Sequence, residues 1–373
     1  MCAFTFTVFV SLFQLLPTAP YQVIALGGST AVAGLFLGFL TFSSALTAPF
    51  TGHIGDRVGQ RRVLIVVSLV LAGFNGVYAF VESHRLLLGL VVVHGGVWSA
   101  LLTASGAYMT LGLPAARRAE GLGYWGFASV GAIAIGPPIG FWVFQFGWTA
   151  LCLEAMALNL VMAGIAWRLP DDRAQVAEMR AREPAAPRGG LVETRALALS
   201  ATLGLSSYSY GALTSFSALF ADHLGVSPRS LFISLMGVAI IATRLALGRR
   251  IDVIGHRRAL LPSLGIGAAG LVLLAFSQSV WGFAFAALVF GGGFGLLFPA
   301  YAAFLMSHVS PLRRGAAYGA MIAAFDTGIG TGSSTMGWLV QRLGYRPAFI
   351  VAAALAALAV PYFVVAEKRL GFR

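Results

Sequence analysis

The chain has 373 residues, 58% of them apolar and 10% charged, with a mean hydropathy of +0.84. Soluble domains are nearer half apolar and a quarter charged, so a soluble enzyme is excluded. The formal net charge is +12, but the basic residues stand in short clusters between long apolar stretches, which is a pattern of membrane topology and not of nucleic-acid binding.

A membrane helix takes about 20 apolar residues. Apolar runs punctuated by turn and charge signals predict twelve spans, near 2–16, 30–51, 63–81, 86–111, 121–145, 149–167, 196–220, 231–248, 259–277, 281–307, 315–341 and 347–366. Barrel strands would be half as long and would alternate in polarity, so the expected fold class is an all-α membrane protein of twelve transmembrane helices in two pseudo-symmetric six-helix halves. The first span lacks a basic leader and a small-residue cleavage site and reads as a helix, not a signal peptide. Cys2 and Cys152 are too few for a disulfide framework and are expected to be free.

With a cytoplasmic N-terminus and alternating spans, 20 of the 25 Lys and Arg fall on the cytoplasmic side. Arg85, Arg229, Arg342 and Arg346 fall outside and Arg244 within the eighth span, so both termini are expected to be cytoplasmic. Pro170 to Arg195 is the long polar stretch, with ten charges and three prolines, and reads as a linker. The expected organisation is a first half over 1–168, a cytoplasmic linker over 169–195 and a second half over 196–373.

The halves repeat. Gly52, Asp56, Gly59, Arg61 and Arg62 follow the second span, and Gly248, Asp252, Gly255, Arg257 and Arg258 follow the eighth, each displaced by 196 residues. The same offset relates Gly95 to Gly291, Arg117 and Arg118 to Arg313 and Arg314, and Gly123 to Gly319. One offset serving four places marks a duplicated architecture. Parallel halves of this kind are found in transporters, with the substrate site between them near the midplane.

On these residues the chain resembles the major facilitator superfamily over essentially its whole length. GHIGDRVGQRR is similar to the signature loop between the family's helices 2 and 3, and GRRIDVIGHRR is its echo. The resemblance implies that Asp56 caps a helix of the opposite half in one conformation, since helix N-termini carry partial positive charge and unpaired N–H groups. The alternative is a tight turn with solvated arginines. Arg244 is read as a brace for the repeated loop. The fifth span, GLGYWGFASVGAIAIGPPIGF, resembles the antiporter motif of proton-driven exporters, with Gly123, Gly136, Pro137 and Gly140 matching and Ala132 and Phe141 departing from it. It is expected to form a kinked packing face. Val91 stands where the family commonly has an arginine, four residues before Gly95. The stretch AAFDTGIGTGSSTMGWLVQRLGYRPAF is similar to bacterial small-molecule exporters, including sugar-efflux and metallophore-export members.

Polar stripes at helical spacing run along four spans. The first aligns Thr7, Ser11 and Gln14; the fourth His94, Trp98, Ser105 and Tyr108; the seventh Ser206, Tyr210, Thr214 and Ser217; the tenth Phe294, Phe298 and Tyr301. In the family these four helices line the central cavity, and hydroxyls with aromatics suit a mid-sized, partly apolar, hydrogen-bonding cargo. Ordinary helix packing is the alternative for each small residue. A charge at the centre of a membrane helix costs about 2.5–3.5 kcal/mol on insertion scales, so Asp326, His94 and Glu154 are the proton-coupling candidates. Asp326 is the expected carrier and His94 its tuner, against the alternative of fixed hydrogen bonds between helices.

The expected function is a secondary active transporter that exports a small organic molecule by alternating access, in exchange for protons. An uptake symporter or facilitator of the same fold is the alternative. A membrane enzyme would show clustered metal ligands or a nucleophile with its base, and a sensor would carry an added soluble domain. No cofactor, metal or nucleic acid is expected. The expected partners are a small-molecule cargo, the proton and the lipid bilayer, and the expected setting is the bacterial cytoplasmic membrane, as a monomer.

Overall fold

The computed structural model describes residues 1–112, 118–174, 176, 178, 194–309 and 313–372, without the side chains of 49, 52–53, 55–56, 110–112, 118–125, 249, 252 and 314–315. The expectations for Gly52, Asp56, Gly123 and Asp252 therefore fall outside the described side chains.

Among the described residues, twelve long helices form at the twelve predicted spans. In the first half they are α1 Cys2–Ala25, α2 Leu35–Val58, α3 Gln60–Tyr78, α4 His84–Gly112, α5 Arg118–Phe144 and α6 Trp148–Trp167. In the second they are α7 Thr194–His223, α8 Leu231–Leu247, α9 His256–Phe276, α10 Val280–His308, α11 Arg314–Leu343 and α12 Tyr345–Arg369. Among the described residues, nine helices are long and apolar enough to cross a membrane by length and composition. Of the remaining three, α8 is shorter at 17 residues, while α7 and α11 are rich in Ser, Thr and Gly. The first helix runs nine residues past its expected end at 16, through Pro17 and Pro20. A proline removes one helical hydrogen bond without necessarily ending a membrane helix, and the Thr18 hydroxyl donates back to the carbonyls of Gln14 and Leu15 at 2.8 and 3.0 Å.

The sequence repeat is a repeat of backbone geometry. Gly59 opens α3 at φ 90°, ψ 139°, and Gly255 opens α9 at φ 94°, ψ 134°. Positive φ favours glycine, which is why the glycine recurs. In both halves the first arginine after it is half-buried and the second exposed. Arg61 donates to the Trp167 carbonyl at the end of α6, and its guanidinium lies 6.0 Å from the Trp167 ring centroid. Arg257 grips Glu367 near the end of α12 in a bidentate pair, at 2.7 to 3.0 Å. Each half thus fastens the start of its third helix to its own last helix.

Two compact units result, one of Met1–Gly28 with Phe39–Pro187 and one of Ser29–Gly38 with Arg188–Arg373. The repeat gives no sign that residues 29–38 pack in the second unit. They do so because glycine lets backbones touch there: a Cβ at Gly34 would meet the Ser333 carbonyl, and one at Gly337 the carbonyls of Thr30 and Ala31. Ser333 Oγ donates to the Gly34 carbonyl at 2.7 Å, and the Ala31 N–H donates to Gln341 Oε1 at 3.0 Å.

The first unit has a cap that the sequence reading missed. Asp172, 3% exposed, accepts from the backbone N–H groups of Gln60 and Arg61 at 2.7 and 3.3 Å, satisfying two of the unpaired donors at the start of α3. Asp172→Ala is expected to cost about 1–2 kcal/mol, the loss of a strong cap, and to lower the thermal midpoint in detergent. Asp171 lies beside it, exposed and paired with Arg173 at 2.6 Å, and the Arg173 guanidinium holds its carboxyl down at about 2. Asp171→Ala is the control and should leave the midpoint unchanged.

Candidate functional site

In the first unit, glycine determines where the polar groups stand. A Cβ on Gly140 would lie 2.6 Å from Gln14 Cβ and 2.7 Å from its Cα, and one on Gly136 would lie 3.1 Å from Phe13 Cβ. The matching glycines of the fifth helix therefore let α1 lie against α5. Gln14, held there and fully buried, donates its amide N–H to the Glu154 carboxylate on α6. Its Oε1 is buried without a partner among the described residues, and Glu154 is half-buried. One turn along, Asn159 donates to Ser11 Oγ at 2.8 Å, so the α1–α6 contact is a polar seam.

The fourth-helix stripe divides. His94, 3% exposed, turns to α3, where its ring stacks on Phe74 and Tyr78 at 5.5 and 5.8 Å and its Nδ1 lies 3.0 Å from the Tyr78 hydroxyl. Trp98 meets the Phe9 ring edge-on at 5.5 Å. Tyr108 donates to the Pro170 carbonyl at 3.0 Å, beyond the end of α6. Val91 is fully buried.

In the second unit, α7 and α11 touch backbone to backbone. Cβ atoms at Gly211 and Gly332 would strike the carbonyls of Ile329 and Tyr208. Hydroxyls tie the same seam: Ser207 to the Phe325 carbonyl at 2.8 Å, Tyr208 to Thr335 at 2.7 Å and Ser215 to Ser333 at 2.6 Å. This fixes the turn of α11 that carries Phe325 and Asp326. Asp326 is half-buried, and among the described residues its carboxylate makes no hydrogen bond or ion pair.

Beside it lies an aromatic ladder. Tyr210 stacks on Phe294 at 5.1 Å and 12°, Phe290 on Phe294 at 5.5 Å and 17°, and Phe325 approaches Phe294 at 6.3 Å and Phe298 at 5.3 Å. Arg244 of α8 donates Nε–H to the Gly295 carbonyl at 3.0 Å, bracing α10 next to Phe294. Ser206 and Thr214 return their hydroxyls to carbonyls of their own helix, Thr202 at 3.2 Å and Tyr210 at 2.8 Å. Tyr301 is fully buried, donates to Ser200 at 3.0 Å and belongs to the apolar core of the unit. Tyr210 of the seventh-helix stripe and Phe294 of the tenth-helix stripe come into ring contact, whereas sequence reasoning passed over Asn159, Ser333 and Glu367, polar residues whose partners are distant in the chain. Among the described residues no three His, Cys, Asp or Glu side chains come together as metal ligands.

Comparison with known proteins agrees with this architecture. The family model described as Major Facilitator Superfamily matches residues 1–249 and 199–371. An uncharacterized MFS-type transporter, YhhS of Salmonella paratyphi C, is 26% identical over 345 residues, covering 90% of this chain and 84% of the relative. Another uncharacterized MFS-type transporter, from Burkholderia mallei, is 26% identical over 360 residues, covering 92% and 85%. Among solved structures, the nucleoside transporter NupG superposes with a TM-score of 0.78 at 16% identity over 98% of each chain. The human organic anion transporter MFSD10 (TETRAN) gives 0.71 at 18% over 97% of each.

Two contacts described above give direct tests. Gly140→Ala should overpack the α1–α5 contact, at about 1–3 kcal/mol, and lower the thermal midpoint, while Gly164→Ala, with open space at its Cβ, should not. Arg257→Ala should destabilise more than Glu367→Ala, because it takes a bidentate partner from a fully buried carboxylate, whereas the arginine side chain is 35% exposed and can be hydrated. Equal losses would mean that the pair acts only through packing.

Proposed function

We propose, from the premise that this chain belongs to the Major Facilitator Superfamily, that it is an exporter of a small organic molecule, working by alternating access in exchange for protons. It is a multi-pass integral membrane transporter and not an enzyme; direction, coupling and cargo class are the proposal. Its bacterial relatives support a place in the cytoplasmic membrane, and the arginine distribution supports cytoplasmic termini.

The observation that carries the coupling proposal is Asp326. It is the thirteenth residue of the 30-residue helix α11, half-buried, and free of any fixed partner among the described residues. A carboxyl held by an arginine or a pair of N–H groups would be committed to its charge. One without them gains or loses its proton according to the water that reaches it, which is what a proton carrier in an alternating-access cycle requires. Glu154 is the second candidate, with Gln14 as its hydrogen-bond donor. The ladder of Tyr210, Phe294 and Phe298 beside Asp326 supports a cargo with a flat apolar part and a polar edge, since ring faces hold planar groups and a carboxyl accepts hydrogen bonds. The antiporter-like glycines support export, through the packing of α5 on α1.

Transport of a chemically diverse panel into inverted vesicles, with and without a pH gradient, tests direction, coupling and cargo together. Asp326→Asn mimics the protonated carboxyl and should abolish gradient-driven accumulation while permitting downhill exchange. A variant that still concentrates cargo under a pH gradient would make Asp326 a cargo-binding or structural residue. Wild-type movement of cargo that ignores the gradient would make the chain a facilitator. Tyr210→Ala should weaken cargo affinity by about 0.5–1.5 kcal/mol if the ring stacks on cargo, a loss of roughly two- to ten-fold.

A further inference from the structure

The first unit holds a small, partly open polar chamber. It lies among α1, α3, α4 and α6 and is lined by Ser11, Asn75, His94, Trp98 and Asn159 together with valine and leucine side chains. It leaves about 10 Å³ for the centre of a water-sized sphere, which is the room of one water molecule.

The polar atoms around it are incompletely satisfied in a complementary way. Asn75 is 1% exposed; its amide N–H donates to the Leu71 carbonyl at 2.9 Å, and its Oδ1 is buried with no partner among the described residues. Asn159 spends Nδ2 on Ser11 Oγ and the Ala155 carbonyl, at 2.8 and 2.7 Å, which leaves Oδ1 without a donor among the described residues. The Tyr78 hydroxyl lies 3.0 Å from His94 Nδ1; with the hydroxyl as donor the ring carries its proton on Nε2, for which the described residues offer no acceptor. The Trp98 indole N–H has no acceptor among them either. Two donors and two acceptors therefore surround a space of one water.

The geometry points to a structural-water site in this chamber, in which one water donates to Asn75 Oδ1 and Asn159 Oδ1 and accepts from His94 Nε2–H and Trp98 Nε1–H. The water joins α3, α4 and α6, and the Asn159–Ser11 bond adds α1, so four helices of the unit share one hydrogen-bonded node. His94 is then a neutral donor in a fixed network.

X-ray radiolysis of the full chain in nanodiscs tests the site, because hydroxyl radicals formed from a bound water oxidise the side chains that touch it. Trp98 and Trp148 are equally buried, at 7% exposure each, but the Trp148 N–H is already given to the Tyr78 carbonyl at 2.9 Å. Trp98 should be oxidised several-fold faster than Trp148, and Asn75→Leu, which removes an acceptor and fills the chamber, should erase the difference. Equal rates in the wild type, or a difference that survives Asn75→Leu, would overturn the proposal. Should Asn75→Leu not fold, the wild type decides alone: a structure that resolves ordered water must show density within hydrogen-bond reach of Asn75 Oδ1 and His94 Nε2, and an empty chamber would refute the site.

Discussion

Close approach of helix backbones at glycine is the constraint on which the rest of this molecule depends. Lipid is as apolar as the side chains it surrounds, so membrane helices gain little from hiding leucine and associate through packing and hydrogen bonds. Gly140 brings α1 close enough for Gln14 to reach Glu154, and Gly211 with Gly332 bring α7 onto α11 so that Ser207 can hold the Phe325 carbonyl. Glu154 and Asp326, two of the three proton-coupling candidates, stand where they do because a missing side chain elsewhere lets two backbones meet. The strained-looking composition of α7 and α11, too polar to pass as ordinary spans, is the same fact seen in sequence.

The second demand is that buried polar groups be matched inside the protein, since the bilayer core offers no hydrogen bonds. Short hydroxyl side chains meet it locally by returning to a carbonyl one turn back, as Thr18, Ser68 and Thr214 do. Charged groups meet it over long chain distances, as Arg257 does with Glu367 and Asp172 with the start of α3. The two halves keep the glycine turn and the first arginine of the loop but differ in the acid they use, a cap on backbone N–H groups in one and a bidentate ion pair in the other. Duplication preserved the turn, which only glycine satisfies, and left the anchoring chemistry free to diverge.

What the sequence made legible follows from the same two demands. Helix number and limits were readable because apolar length is a local property, and Gly59 with Gly255 because a positive φ leaves a glycine that spacing can reveal. The first helix was cut short at Pro17 because a proline is a stop signal in water and a tolerated kink in a membrane. Tyr301 and Tyr210 look alike as polar aromatics in apolar spans; one is fully buried on Ser200 and the other heads the aromatic ladder, a difference set by helix rotation that no stripe records. Asn159 is visible as an amide in an apolar span, but its partner Ser11 lies 148 positions away in the chain, which periodicity does not join.

The membership of residues 29–38 in the second unit changes what counts as half of this molecule. A fragment ending at Pro187 would carry Gly34 and Ala31 without Ser333 and Gln341, and the complementary fragment would carry a glycine-lined face on α11 with nothing to cover it. The duplicated halves are thus no longer separable modules: ribosomal synthesis must deliver α11 before residues 29–34, just ahead of α2, acquire their bonds, so the packing of an early segment is completed only by one of the last helices to emerge.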